Sequence, residues 1–168
     1  TPTNYLEFKE GVFTLNIAST NRLASTFWVT NMLHHGQLYT HGGSTAQELT
    51  NAGTYYRLAQ IATAGPGAGM TLGTSSNTIT VSASGVYEFG FQSSFTGTAS
   101  ATIQFSAFTN GVEAVKSQAL MKLPASGAVT VSSRALIYLL ASDWVDVRAK
   151  GDGASDSLTL KECQFTLR

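Results

Sequence analysis

The segment from Gly85 to Phe95 alternates between two kinds of side chain. Large aromatic residues stand at every second position through Tyr87, Phe89 and Phe91. The positions between them hold Glu88, Gly90 and Gln92. A period of two residues is that of a β-strand with one buried face, because successive side chains of a strand point to opposite sides. This pattern excludes a helix here and predicts a strand that must pack on a second layer.

Similar runs recur at regular spacing from Tyr55 to Arg168 and predict about eight or nine strands, as in a sandwich or barrel. Tyr55–Ile61 is predicted to be the first strand, Gly65–Gly69 a loop, Val112–Leu123 a return strand, and Leu136–Leu140 a strand covered on both faces. The composition agrees with this interpretation, because Thr, Gly and aromatic residues are abundant while charged residues make up only 12% of the chain.

Two local signals sharpen the prediction. Asn110-Gly111 lies between apolar runs, and this pair favours a type I′ hairpin turn, which needs two positive φ angles. The apolar phase changes between Leu160 and Cys163, which indicates a β-bulge in the last strand.

Residues 1–54 differ from the rest and are predicted to form an N-terminal arm or extension ahead of a 55–168 domain. Val12–Ile17 is typical of a strand, whereas Leu23–Leu33 is compatible with either a helix or a strand. Thr45-Ala-Gln-Glu48 resembles a helix capping box, although Gly53 would soon end any helix.

Charge excludes several kinds of partner. Ten Lys and Arg residues balance ten Asp and Glu residues. A neutral chain is not a polybasic nucleic-acid binder or a cationic membrane-surface protein, so we expect neither nucleic acid nor membrane as a partner. Near-zero net charge also favours association, which suggests work inside an assembly.

Processing signals are few. The single cysteine, Cys163, excludes an internal disulfide, and no apolar run approaches the length of a membrane span. The start does not have the pattern of a signal peptide. We therefore expect synthesis in the cytoplasm without processing.

The order of motifs in residues 77–168 resembles a known superfamily. The motifs are Ile79-Thr-Val81, Ser84-Gly-Val-Tyr-Glu-Phe89, Asn110-Gly111, Leu139-Leu-Ala-Ser-Asp-Trp-Val145 and Phe165-Thr-Leu-Arg168. They are similar to those of the tumour necrosis factor and complement globular-head jelly rolls. Ser142 departs from the family pattern, where glycine is usual, and the 54-residue extension is not covered.

The resemblance implies an all-β, antiparallel β-sandwich jelly roll with an N-terminal arm. It also implies a homotrimer in which the C-terminal strands and aromatic residues pack along the threefold axis. Similar versions without disulfides or glycosylation recur in bacteriophage and bacterial surface structural proteins.

Aromatic residues are the candidate interface anchors, because aromatic side chains dominate binding at protein interfaces. The candidates are Phe27, Trp28, Tyr39, Tyr55, Tyr56, Trp144 and Phe165. Trp144 alternates with core valines and should therefore face outward from its sheet.

The histidine, aspartate and cysteine side chains that could bind a metal or take part in catalysis have simple structural interpretations. His34, His35 and His41 could bind a metal around a threefold axis, but no acid or cysteine lies nearby in sequence, so surface or interface hydrogen bonding is preferred. Asp143 fits a turn, and Cys163 fits a buried inert thiol. Asp152 and Asp156 lack the spacing of a calcium loop. We predict no catalytic residues, no metal, no cofactor and no enzymatic activity.

These features lead to a function hypothesis. The chain is expected to be a trimeric capsid decoration or cement protein of a phage head, located in the virion after assembly in the host cytoplasm. Its partners would be the major capsid protein or other virion proteins, gripped by the arm. The alternative is the receptor-binding head of a tail fibre or spike, which would recognise a host glycan or protein. No heptads or collagen repeats provide the stalk expected of such a head. A cytokine-like signalling head is a third hypothesis.

Overall fold

The computed structural model describes residues 34–168 and, before them, two strands: β1 (Tyr5–Lys9) and β2 (Val12–Asn16). The chain divides into two compact units, Thr1–Leu33 and His34–Arg168. In the first unit β1 and β2 pair antiparallel. The strand predicted over Val12–Ile17 is thus confirmed as Val12–Asn16. The undecided segment Leu23–Leu33, with Phe27 and Trp28, lies outside the described residues.

The second unit contains thirteen strands and a single 3₁₀ turn, Val115–Ser117. In chain order the strands are β3 (His35–His41), β4 (Gln47–Leu49), β5 (Tyr56–Arg57), β6 (Thr63–Ala68), β7 (Met70–Gly73), β8 (Thr78–Val81), β9 (Gly85–Gly97), β10 (Thr102–Thr109), β11 (Val112–Glu113), β12 (Ala119–Lys122), β13 (Val129–Leu139), β14 (Trp144–Gly151) and β15 (Asp156–Leu167).

These strands form two antiparallel sheets. Sheet I has the order β13-β9-β15-β3-β6, and β4 also pairs with β15. Sheet II has the order β11-β10-β14-β8-β7, with β12 paired to β10 and β5 paired to β14. Neighbouring strands are often distant in sequence, as expected for a jelly roll rather than a simple meander. The predicted all-β antiparallel sandwich is confirmed.

The core lies between the sheets and is rich in phenylalanine. Phe91 and Phe95 of sheet I meet Phe105 of sheet II, with ring centroids 5.2 and 5.0 Å from Phe105. Aromatic pairs at this separation are favourable beyond the area they bury. The inward face predicted for the Gly85–Phe95 strand is therefore confirmed.

Phe165 is a correction to the predicted interface residues. Its side chain is 0% exposed and packs against Phe89, with ring centroids 5.7 Å apart. Cys163, Phe165 and Leu167 are all buried, because alternate residues of β15 point between the sheets. A side chain in this position anchors the sandwich and does not reach a partner.

Both local signals are confirmed. Asn110 and Gly111 have φ angles of 49° and 84°, as a type I′ turn requires, and the hairpin pairs Thr109 with Val112. The register of β15 against β9 shifts between Leu160 and Glu162, which is the predicted bulge.

Sheet I begins earlier than the sequence predicts. The compact unit starts at His34 rather than Tyr55, because β3 pairs along the second half of β15 and Leu38 is fully buried. The strand signal of β3 is weak, since Gly36 takes one of its inward positions. A Cβ there would come within 2.8 Å of Leu72 Cδ2, so the packing favours glycine.

The predicted capping box is wrong. Gln47–Leu49 forms strand β4 and pairs with Asp156–Leu158, and Leu49 is fully buried. The Gln47 amide bridges to the backbone, since Nε2 donates to the Arg57 carbonyl and Oε1 accepts from the Ala59 amide.

Four further segments differ from prediction. The first strand over 55–61 is reduced to β5, and the loop predicted over 65–69 is largely strand β6. The return strand over 112–123 is divided into β11, the 3₁₀ turn and β12. The strand over 136–140 has only one covered face, which leads to the candidate site.

A candidate subunit interface on sheet I

The exposed face of sheet I carries a group of large apolar side chains, which we call the apolar patch. Val86, Leu136, Tyr138 and Leu140 are 65%, 71%, 66% and 54% exposed. Tyr138 lies opposite Val86 in the β13–β9 register, so the patch spans two strands. Leu139 between them is fully buried, because the strand alternates. Contiguous exposed apolar surface of this kind marks an interaction site.

An ion cluster borders the apolar patch. Glu88 Oε2 accepts from Arg168 Nη2 at 3.0 Å and Nε at 3.1 Å, while Glu88 Oε1 lies 3.5 Å from Arg134 Nη1. Two guanidinium groups from either side of β9 therefore share one carboxylate, and the cluster carries one net positive charge. Such exposed pairs add little to folding stability, so their value lies in shaping the surface.

Beyond the cluster the same face is polar and neutral. The register sets Ser132, Gln92, Gln164 and Tyr39 opposite one another across four neighbouring strands. Two shallow clefts of about 470 and 460 Å³ share Gln92, Thr130 and Gln164 in their linings. Tyr39, one of the predicted interface residues, is half-buried in this polar region.

At the far end of this face His41 Nδ1 lies 2.8 Å from Glu162 Oε2. The His41 hydrogen bond, assisted by the Gly42 amide, lowers the pKa of Glu162. His34 is instead near Tyr87, with Nδ1 3.4 Å from the phenol oxygen.

The histidines are not brought together within one chain. His35 and His41 bound the seven-residue strand β3, which separates them by about 20 Å at the rise of a strand. Within residues 34–168 no group of three or more His, Cys, Asp or Glu side chains is close enough to hold a metal ion.

The outer face of sheet II holds a second cluster, which the sequence did not predict. Asp146 is fully buried and binds Arg57 Nε at 2.6 Å and Arg148 Nε at 2.9 Å. Arg57 also stacks on Trp144, with its guanidinium carbon 5.0 Å from the ring centroid. The predicted outward Trp144 is therefore half-covered by its own chain.

Tyr55 and Tyr56 are also engaged within the chain. Tyr55 packs edge-on against Phe108 at 4.9 Å and donates its hydroxyl to Glu113 at 2.6 Å. Burial and this carboxylate raise the pKa of the Tyr55 phenol. Tyr56 contacts the Thr50 hydroxyl at 2.8 Å. These aromatic residues fasten the 50–57 segment to sheet II.

The remaining sites have local structural partners. Asp143 accepts from the Leu140 amide at 2.7 Å and from Asn110 Nδ2 at 2.6 Å, which is a turn role. Asp152 accepts from the Thr102 amide and Asp156 from the Gly153 amide. Burial raises the pKa of the Cys163 thiol to about 12, so the thiol stays protonated near neutral pH.

The apolar patch was missed although a signal for it exists. Arg134 occupies the same strand face as Leu136 and Tyr138, as the alternation of β13 requires. A face that carries an arginine is rarely buried in a core, so its leucine and tyrosine belong to the surface. Residues 135–140 are all apolar, so the sequence alone does not show which of them alternate to the outer face.

The described ranges contain no helix long and apolar enough to cross a bilayer. No protein-family model matches the sequence, and no curated protein matches it either.

Comparison with solved structures finds the same fold. The globular domain of zebrafish complement 1qA is similar over 80% of this chain and 95% of its own, with 18% identity and a TM-score of 0.57. The Eiger TNF of S. frugiperda gives the same TM-score with 17% identity, covering 80% of this chain and 92% of its own. Murine APRIL has a TM-score of 0.52 at 15% identity, covering 80% of this chain and 98% of its own. The sandwich described above therefore has the jelly-roll fold of the tumour necrosis factor and complement globular domains.

Proposed function

We propose that this chain is a non-enzymatic subunit of a homotrimer, in which copies meet through the exposed face of sheet I. The apolar patch carries the proposal. Each large apolar side chain removed from water contributes about 1.5–3 kcal/mol, so covering four of them in each copy favours a stable assembly. The choice of three copies is supported by the family resemblance of the sequence.

Charge supports a second copy as the occupant of this face. The formal net charge of the chain is zero, so copies of it do not repel one another over long distances. The two clefts on this face are lined by two acids, Glu88 and Glu162, and by two arginines, Arg134 and Arg168, so their charges balance. The middle of the face is lined by amides and hydroxyls. A strongly charged partner would find no complementary surface there.

A structural rather than catalytic role is supported by the positions of the acidic and thiol side chains, which are the groups that catalysis would use. Asp143, Asp152 and Asp156 accept backbone hydrogen bonds in turns and loops. Cys163 is buried and protonated. These groups stabilise the sandwich and leave it as a scaffold for binding.

At the finer level, we propose that the trimer decorates a phage capsid and that the N-terminal unit is the gripping arm. The low charge of the chain supports this role, and so does the finding that β1 and β2 belong to a compact unit of their own, Thr1–Leu33. The major capsid protein would be the partner and the virion the location. The alternative is a receptor-binding head on a tail fibre or spike.

The oligomer is tested by mass in solution. Wild type should scatter light as three times the 17.7 kDa chain at micromolar concentration. Replacing both Leu136 and Tyr138 with Arg should give monomers, because it places unpaired charges in the contact. Leu120 is 63% exposed on sheet II, so Leu120→Arg is the matched control and should remain trimeric. A monomeric wild type, or a trimeric double variant, would contradict the proposal.

The finer role is tested by electron microscopy of particles that carry the tagged protein. Density repeated over the capsid lattice would support decoration. Density only at a tail tip would support the receptor-binding head and refute the cement role.

A further inference from the structure

The two glutamines at the middle of the sheet I face make no hydrogen bond within residues 34–168. Gln92 and Gln164 are exposed and lie directly opposite each other in the β9–β15 register. Gln47, Gln60 and Gln118, by contrast, make hydrogen bonds within the fold. Gln60, for example, donates to the Leu158 carbonyl and accepts from the Leu160 amide. Gln92 and Gln164 therefore place two free amides at one level of the sheet, next to Gln37 at the level of Thr166.

The face is layered along the strand direction. Tyr138 and Val86 form one transverse level, followed by the level of Leu136 and Glu88. Gly90 and Thr166 come next, and the level of Gln92 and Gln164 follows. Apolar side chains are thus separated from the amides by the ion cluster around Glu88.

Rotational symmetry decides what each level meets. In a closed ring of copies about an axis that runs along the strands, every residue keeps its height. The apolar patch then faces apolar patches, and the glutamine pair of one copy faces the glutamine pairs of the others. Paired amides can donate to and accept from their own kind, so this arrangement satisfies them.

We infer that Gln92 and Gln164 form a hydrogen-bonded amide layer in the assembly, which sets its register and its number of subunits. This inference rests on the proposed homotrimer. A polar layer in an otherwise apolar contact lowers affinity but disfavours alternative registers and stoichiometries, as a single buried asparagine does in coiled coils. The apolar patch supplies affinity, and the amide layer supplies specificity.

The first test replaces both glutamines with leucine. The Gln92→Leu, Gln164→Leu variant should dissociate at a concentration about tenfold lower than wild type and should show more than one stoichiometry by native mass spectrometry. Gln104 projects from the exposed face of sheet II, so Gln104→Leu is the matched control and should behave as wild type. A double variant with one stoichiometry and unchanged affinity, or with weaker affinity, would overturn the inference.

A second test uses charge and does not depend on new apolar surface. Gln92→Glu with Gln164→Glu places carboxylates of all copies at one level. The assembly should dissociate at pH 7 and reform near pH 4, where glutamates become protonated. Gln104→Glu should assemble at both values. A double variant that remains assembled at pH 7 refutes convergence of this level.

The two failures are distinguishable. A monomeric wild type removes the homotrimer and the amide layer together. A trimeric wild type whose double variants assemble unchanged removes only the amide layer.

Discussion

The buried carboxylate of Asp146 in β14 accepts a hydrogen bond from Arg57 Nε over 2.6 Å and thereby holds the β5 segment on sheet II. Arg148 shares the same carboxylate at 2.9 and 3.2 Å. Two guanidinium groups surround one fully buried acid, and Arg57 is 37% exposed above it. The cluster joins the segment 50–61 to strand β14, since Arg57 and Asp146 are 89 positions apart in sequence.

Removing this acid should strongly destabilise the domain. Asp146→Ala leaves both arginines without their anion, and breaking a buried ion pair typically costs about 3–5 kcal/mol. Urea denaturation followed by tryptophan fluorescence measures the change. Asp152 is exposed, so Asp152→Ala should reduce the free energy of unfolding much less than Asp146→Ala does. Equal losses in the two variants would contradict the role of the cluster.

In the hydrophobic core, Phe105 of sheet II packs against sheet I. Phe105→Ala should lower the free energy of unfolding by about 3–5 kcal/mol, because it removes contacts with Phe91 and Phe95 and leaves a cavity. Leu120→Ala, at a position 63% exposed, should change it by no more than about 0.5 kcal/mol. A small effect at Phe105 would mean that the sheets do not pack as described.

The parts of the fold that could be predicted have local causes. The turn at Asn110-Gly111 follows from the φ angles that these two residues tolerate. The bulge follows from a phase change within β15, and the inward face of β9 follows from its own alternation. In each case the evidence lies within a few residues of the feature.

The parts that could not be predicted depend on distant partners. Residues 35–41 form strand β3 by pairing with β15, where Tyr39 lies opposite Gln164. No pattern within residues 35–41 indicates this pairing. The alternation of β14 predicts that Asp146 points outward to solvent, but in the structure Arg57 covers it. To predict the apolar patch, one must know which alternate residues of β13 face outward, and the composition of the strand does not show this. Phe165 was assigned to an interface, although the alternation of β15 places it inside the sandwich.

The turn before β14 offers a stabilising change. Ser142 has a φ of 75°, in the left-handed region where a Cβ costs about 1–2 kcal/mol. Ser142→Gly should therefore raise the free energy of unfolding by about 0.5–1 kcal/mol after the greater flexibility of unfolded glycine is deducted. Ser126 is an exposed serine outside the left-handed region, so Ser126→Gly should bring no gain. A loss of stability in Ser142→Gly would contradict the strain.

The buried thiol of Cys163 should make the folded state less stable at alkaline pH. Burial raises the pKa of Cys163 from its ordinary value of 9.0 to about 12. The folded state therefore keeps the thiol protonated, while the unfolded chain releases the proton above pH 9. Stability from this group is present below pH 9 and is lost as the pH rises towards 12.

Between pH 8 and pH 10 the free energy of unfolding of the wild type should fall by about 1 kcal/mol more than that of Cys163→Ala. The reason is that pH 10 lies about one unit above the pKa of the thiol in the unfolded chain. Other titrating groups, including Tyr55, are common to both proteins and cancel in the difference. Urea titrations of both proteins at the two pH values measure it, and parallel losses would show that the thiol is accessible to water in the folded state.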